Sequence, residues 1–344
     1  MVACFGGFAK TCYNISFFMM KRLILLLGSL LAGLFIFGFL ISGVGWQEVR
    51  EPLQMFSFSK AFVIFLLTGA FLLAGALRWQ FVLKGQGCSI PFSSVWRPYL
   101  AGFSLLFFIP IVPFASEFFR ASALGDLSAS RRIEFGRGMA SVLIDRILEV
   151  TSNLFVVIMG GVLFLFAEHG IPYSVKTLGI ICFIGIWFLF LSLLYIRIFQ
   201  KRSVIQLLWK GNGGMQEIEK EVFAFFHLKN RFFWQGLFFS FLKSAIGSLR
   251  VWALIFFLGK GFAGLAGVTI LGFYYLAVLV PIPAALGSHE AIQAVGFGVF
   301  GLGAGTGAAF ALVVRAVEIL FAFAGLALFF HFGLRFMKSM IFRI

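Results

Sequence analysis

Charge is what this sequence has least of. Of 344 residues only 12% are Asp, Glu, Lys or Arg, against about 25% in an ordinary soluble domain. The one sizeable hydrophilic stretch, residues 197–231, is too short to hold a catalytic domain. With 61% hydrophobic residues and a mean hydropathy of +1.03, a water-soluble fold is excluded, and a polytopic membrane protein remains. Cysteine is also scarce. Cys4, Cys12, Cys88 and Cys182 stand far apart, which excludes a disulfide framework or zinc spacing. No G-x-x-x-x-G-K-[ST] loop occurs, so this chain alone is not an ATP-driven pump. His289-Glu290 is followed by Gln293 where H-E-x-x-H needs a second histidine, and there is no G-x-S-x-G elbow. Neither a metal nor a cofactor is expected.

Long apolar runs are what the sequence does have: roughly 23–45, 59–83, 98–116, 139–166, 177–198, 232–258, 263–284 and 291–334. Leu23 to Val44 follows Lys21 and Arg22 and is too long for a signal-peptide core, so it reads as a retained span. "MKRLILLL" reads as a start in its own right, leaving Met1 and Met20 as two candidate starts. The last run is too long for one crossing, and Gly301, Gly303, Gly305 and Gly307 divide it near residue 306. The basic residues between runs concentrate in 1–22, 84–97, 121–138, 197–231 and after 334. The net charge of +15 is therefore a positive-inside signature and not a nucleic-acid footprint, and it puts both termini in the cytoplasm. Within the long loop, "MQEIEKEVFAFFHL" reads as a short amphipathic helix on the inner surface or as a linker.

Since 84–97 and 121–138 are both basic, the segment between them must enter the membrane and return on the same side. Pro110 and Pro113 supply the break. Landmarks then recur about 170 residues later in the same order. Arg78-Trp79 is echoed by Arg250-Val251-Trp252, Pro110 and Pro113 by Pro281 and Pro283, Glu117 by Glu290, and Arg146-x-x-Glu149 by Arg315-x-x-Glu318. One extra span, 177–198, inverts the second copy. The expected fold is all-α: one membrane domain over 1–344, a cytoplasmic segment 1–22, a first repeat at 59–166 and a second, inverted repeat at 232–334. Each repeat holds a re-entrant helical hairpin, the pattern that marks binding sites in secondary transporters.

Charges inside the apolar runs are the candidate site: Arg78, Glu117, Arg120, Asp145, Arg146, Glu149, Arg250, His289, Glu290, Arg315 and Glu318. Each isolated charge at mid-membrane costs about 2.5–3.5 kcal/mol even on lenient scales, so most must be paired or hydrated. Arg146 with Glu149 and Arg315 with Glu318 have i,i+3 spacing, and Asp145 and Glu149 share a face at i,i+4. Arg78 and Arg250 have a second reading as snorkelling side chains, and Lys243 is read as snorkelling or structural. The Arg-x-x-Glu pairs have a second reading as clamps between helices, and the prolines as plain helix breakers.

The stretches "ALRWQFVLKGQG", "PFASEFFRASAL", "SVLIDRILEV" and "VPIPAALGSHEA" resemble, in that order, the lysylphosphatidylglycerol synthase transmembrane-region, or flippase-like, proteins of bacteria and archaea. The resemblance runs from about Leu23 to Leu334. Ala284 and Ala285 stand where that family usually has glycine, and His289 where a basic residue is common. Members with a soluble aminoacyl-transferase domain make and flip aminoacylated phospholipids. The resemblance here implies the translocating half alone. The expected function is a lipid translocase of the cytoplasmic membrane, a transporter rather than an enzyme, with a phospholipid, polyprenyl-phosphate or hopanoid lipid as partner, no nucleic acid, and a homo-oligomer possible. The alternatives are an integral-membrane transferase acting on a lipid headgroup, or a non-transporting accessory protein.

Overall fold

The computed structural model describes residues 24–25, 27–110, 114–127, 133–165, 173–201, 213–261, 264–278 and 282–341, and the regular elements among them are all helical. The expected N-terminal segment 1–22, Pro113, Pro281, Arg131 and Arg132 lie outside the described residues. Helix α1 spans Leu27–Val44, α2 Trp46–Gln54, α3 Phe58–Gly85 and α4 Phe92–Phe108. They are followed by α5 Ala115–Leu127, α6 Phe135–Leu165, α7 Tyr173–Phe199 and α8 Gly213–Phe225. The second half holds α9 Arg231–Phe257, α10 Gly264–Val278, a single 3₁₀ turn Pro283–Ala285, α11 Ser288–Val299 and α12 Ala304–Ile341.

Helices dominate because a bilayer offers backbone groups no water, so each segment must satisfy its own. Among the described residues five helices, α1, α3, α6, α9 and part of α12 (Ala304–Leu334), are long and apolar enough to cross a membrane. Four others are too short. At 1.5 Å per residue α4, α5, α10 and α11 reach only about 18–26 Å, against a hydrocarbon core of about 30 Å. They pack as two broken pairs, α4 on α5 and α10 on α11. The apolar run over 98–116, expected to break at Pro110 and Pro113, is two helices: one stops at Phe108 and the next starts at Ala115.

The packing is reciprocal. The central contact is α3 along α9; α4 lies along α12, and α10 lies along α6. Each long helix meets the opposite broken pair through a glycine. A Cβ at Gly325 would collide with the Leu100 carbonyl, and a Cβ at Gly160 would stand 3.0 Å from Thr269 Cα. Thr269 Oγ1 donates to the Gly160 carbonyl across that contact at 2.9 Å. Close backbone approach at small residues is how membrane helices associate when burial of apolar surface gives no preference between protein and lipid.

Two expectations need correction. The last apolar run divides at 300–303, not near 306. Gly301 (φ 67°) and Gly303 (φ 92°) make the turn, whereas Gly305 and Gly307 lie inside α12. The amphipathic stretch after residue 213 is the helix α8, but its apolar side faces protein. Phe225 and Phe226 are buried in one core with Ile144 and Leu148 of α6. Leu178, Ile186, Phe188 and Leu189 on α7, by contrast, are exposed apolar side chains suited to lipid contact.

Candidate functional site

Each broken pair carries a buried cluster of charge. The first cluster gathers Arg78 from α3, Glu117 and Arg120 from α5, Asp145, Arg146 and Glu149 from α6, and Lys243 from α9. Arg78 Nε donates to Asp145 Oδ1 at 2.6 Å, and its Nη2 lies 3.4 Å from Glu149 Oε2. Arg120 Nη2 donates to the other Asp145 oxygen at 2.8 Å. Arg146 is forked between Glu117 and Glu149, 2.7 Å from each. Lys243 completes the set with an ion pair to Glu149. One turn of α6 therefore presents Asp145 and Glu149 to four cations.

The position of Arg120 is built with particular care. Its guanidinium lies 4.0 Å from the centre of the Trp79 ring and 4.9 Å from that of Tyr99, geometry that favours a cation over aromatic faces. Trp79 is itself fixed by its indole N–H to Ser141 Oγ at 3.1 Å. The aliphatic stem of Arg120 passes α4 at Gly102, where a Cβ would meet Arg120 Cγ and Cδ at 2.8 Å. Among the described residues, Arg120 Nε has no hydrogen-bond partner.

The second cluster is smaller. Arg250 on α9 donates to Glu318 on α12 at 3.0 Å, and Tyr274 on α10 donates to the same oxygen at 2.8 Å. Arg315 lies 3.3 Å from Glu290 and donates to the Ala285 carbonyl. Glu290 accepts from the Gly287 amide at 2.8 Å, which caps α11. His289 stands edge-on to Tyr274, ring centres 5.2 Å apart. The turn these groups hold is strained. Ala284 and Ala285 have φ of 52° and 46°, a region that side-chain-bearing residues avoid.

Two cavities open onto the clusters. One, of about 200 Å³, is lined by Arg120, Arg146, Glu149 and Lys243 together with Tyr99, Ser116 and Asn153. The other, about 100 Å³, is lined by Arg315, Glu318, His289, Ala284 and Pro110. Phe103, Leu106 and Tyr274 line both, so a shared wall separates them.

All eleven residues singled out in the sequence fall in these clusters, but the pairings differ from the helical spacing. Arg146 and Glu149 do pair. Arg315 and Glu318 do not; each binds a residue on another helix. Glu117 and Arg120 share α5 but bond to Arg146 and Asp145 respectively. The snorkelling reading of Arg78, Arg250 and Lys243 is overturned, since all three are buried against carboxylates. Lys243 belongs to the first cluster, and seven-residue spacing from Arg250, which puts both on one face of α9, was the available signal. Tyr274 had none, being one of several aromatics in an apolar run. Among the described residues no three of His, Cys, Asp and Glu converge as a metal site.

The family model for the lysylphosphatidylglycerol synthase TM region matches residues 25–325. A comparison with curated proteins found no match.

Proposed function

The chain belongs to the lysylphosphatidylglycerol synthase TM-region family and is a multi-pass integral membrane protein; we propose that it is a translocase for an amphipathic, phosphate-bearing lipid. The observation that carries this reading is the charge balance of the first cluster. With every group ionised, Arg78, Arg120, Arg146 and Lys243 face only Glu117, Asp145 and Glu149. One positive charge has no counterpart among the described residues, and Arg120, Arg146 and Lys243 line the cavity beside it. A phosphodiester brings one negative charge and oxygen acceptors that suit guanidinium donors, with charge-assisted hydrogen bonds about twice as strong as neutral ones. The headgroup would enter this cavity while its chains stay in lipid.

The reciprocal packing of α3 on α9, α4 on α12 and α10 on α6 supports the reading of two inverted repeats, each with a re-entrant hairpin. The short lengths of α4, α5, α10 and α11 support it too. In this scheme both termini are cytoplasmic and the two cavities open toward opposite faces. Passage between them requires the Phe103, Leu106 and Tyr274 wall to part. Purified protein in liposomes should move fluorescent lipids with phosphate-bearing anionic headgroups at least tenfold faster than protein-free vesicles. It should discriminate against an uncharged diacylglycerol carrying the same reporter. No movement across a panel of phospholipid and polyprenyl-phosphate probes would refute the reading.

A further inference from the structure

We infer that the lipid is taken in sideways, with one hydrocarbon chain lying in a groove between α6, α7 and α10. The inference rests on the translocase reading for the headgroup and adds the place and direction of the chain. The groove is lined by Val150, Leu154 and Val157 of α6, Trp187 of α7, and Tyr275 and Leu276 of α10, with Asn153 at its edge. It adjoins the charged cavity, since Val150, Asn153 and Tyr275 line both.

The face of α6 explains the arrangement. Residues 146, 149, 150, 153, 154 and 157 follow the spacing that puts side chains on one side of a helix. Along that stripe charge gives way to hydrocarbon. Arg146 and Glu149 are ionic, and the residues beyond them, Val150, Leu154 and Val157, are aliphatic, with the neutral amide of Asn153 among them. From Arg146 to Val157 the stripe climbs about 16 Å along the axis at 1.5 Å per residue. A membrane lipid likewise runs from a charged phosphate to hydrocarbon. Asn153, a neutral polar side chain, lines both the groove and the charged cavity. Leu154 and Val157 are 6% and 9% exposed and Val150 is 38% exposed, so the groove is recessed at Leu154 and Val157 and open at Val150. The neighbouring Phe155, 52% exposed, faces outward.

Direction follows. The phosphate lies toward the Phe135 end of α6 and the chain runs toward the Leu165 end, the orientation of a lipid in the leaflet at the Phe135 end. The charge pattern of the loops makes that the cytoplasmic leaflet.

Photo-crosslinking of the full chain in vesicles tests this. The vesicles contain phosphatidylcholine and phosphatidylglycerol, the latter with a diazirine either near the ester or near the chain end. Labelled residues are read by peptide mass spectrometry, with Phe155 as internal reference. The ester-proximal probe should label around Val150 and the chain-end probe around Val157. Leu154→Trp, which fills the groove, should cut groove labelling at least fivefold relative to Phe155 while the thermal midpoint stays within a few degrees. Val157→Trp provides a second filling variant if the first misfolds. Groove labelling unchanged by both fillings, or the reverse order of the two probes, would overturn the inference. Glycerol phosphate, which has a headgroup and no chain, separates the two claims. Thermal stabilisation by it in wild type and in Leu154→Trp alike supports both. Groove labelling without any such stabilisation would sink the headgroup reading and leave the groove standing.

Discussion

At the turn between α10 and α11, charged side chains hold the backbone. Arg315 donates to the Ala285 carbonyl, and Glu290 accepts from the Gly287 amide. At the break between α4 and α5, no charged side chain among the described residues bonds to the backbone; Glu117 and Arg120 reach away to α6. The second cluster is balanced, with Arg250 and Arg315 against Glu290 and Glu318. The first has a cation in excess. The same ingredients, a broken helix with buried charge beside it, thus serve two ends. The second cluster latches its own turn, and α1 seals that turn from the other side, where Gly33 leaves no room for a Cβ against the Leu286 carbonyl. Both clusters line a cavity, but the surplus cation is in the first.

The contrast breaks most visibly if charges are removed one at a time. Arg250→Ala should have the largest effect. Arg250 is 1% exposed and is the only cation bonded to Glu318 among the described residues. Breaking such a buried pair costs about 3–5 kcal/mol, and thermal unfolding in detergent should show a midpoint lowered accordingly. Lys243→Ala should cost less, about 1.5–3 kcal/mol for a lost hydrogen bond to a charged group, because Glu149 keeps Arg78 and Arg146. Equal losses would mean that the first cluster has no surplus to draw on.

A finer test is the coupling of Arg146 with Glu149. Contacting charged residues typically show interaction energies of about 0.5–3 kcal/mol in double-mutant cycles. Because Arg146 also bonds Glu117 and Glu149 also bonds Lys243, the double change to Gln should be milder than the two single changes summed. Strict additivity would mean that the two side chains do not interact. The smallest effect belongs to the latch turn. Ala285→Gly removes a left-handed strain of about 1–2 kcal/mol and adds about 0.4–1 kcal/mol of unfolded-state freedom. The variant should be unchanged or up to about 1.5 kcal/mol more stable in the same unfolding assay.

The membrane helices and the break after Phe108 were legible because hydropathy and proline act locally. The residues of the two clusters were legible for a related reason, since a charge in an apolar run must be explained. Their partners were not. Arg315 has Glu318 one turn away yet binds Glu290, because the packing of α11 on α12 brings Glu290 within reach. Lys243 reads from sequence as a snorkelling or structural charge, but α9 turns that face onto α6 and pairs it with Glu149. Positive φ at Ala284 and Ala285 leaves no trace in alanine itself; the only hint was the glycine that related sequences carry there.

The central claim is that the first cluster receives the headgroup while the second holds a turn. Translocation of a fluorescent phosphatidylglycerol by Arg120→Lys and Arg315→Lys, each normalised to folded protein in the vesicles, tests it directly. Lysine keeps the charge but loses the planar fork that reaches two acceptors at once. The account predicts that Arg120→Lys loses at least tenfold in rate with little change in thermal midpoint, whereas Arg315→Lys lowers the midpoint and keeps most of its rate. Unimpaired transport by Arg120→Lys, together with transport abolished in a stable Arg315→Lys, would contradict it.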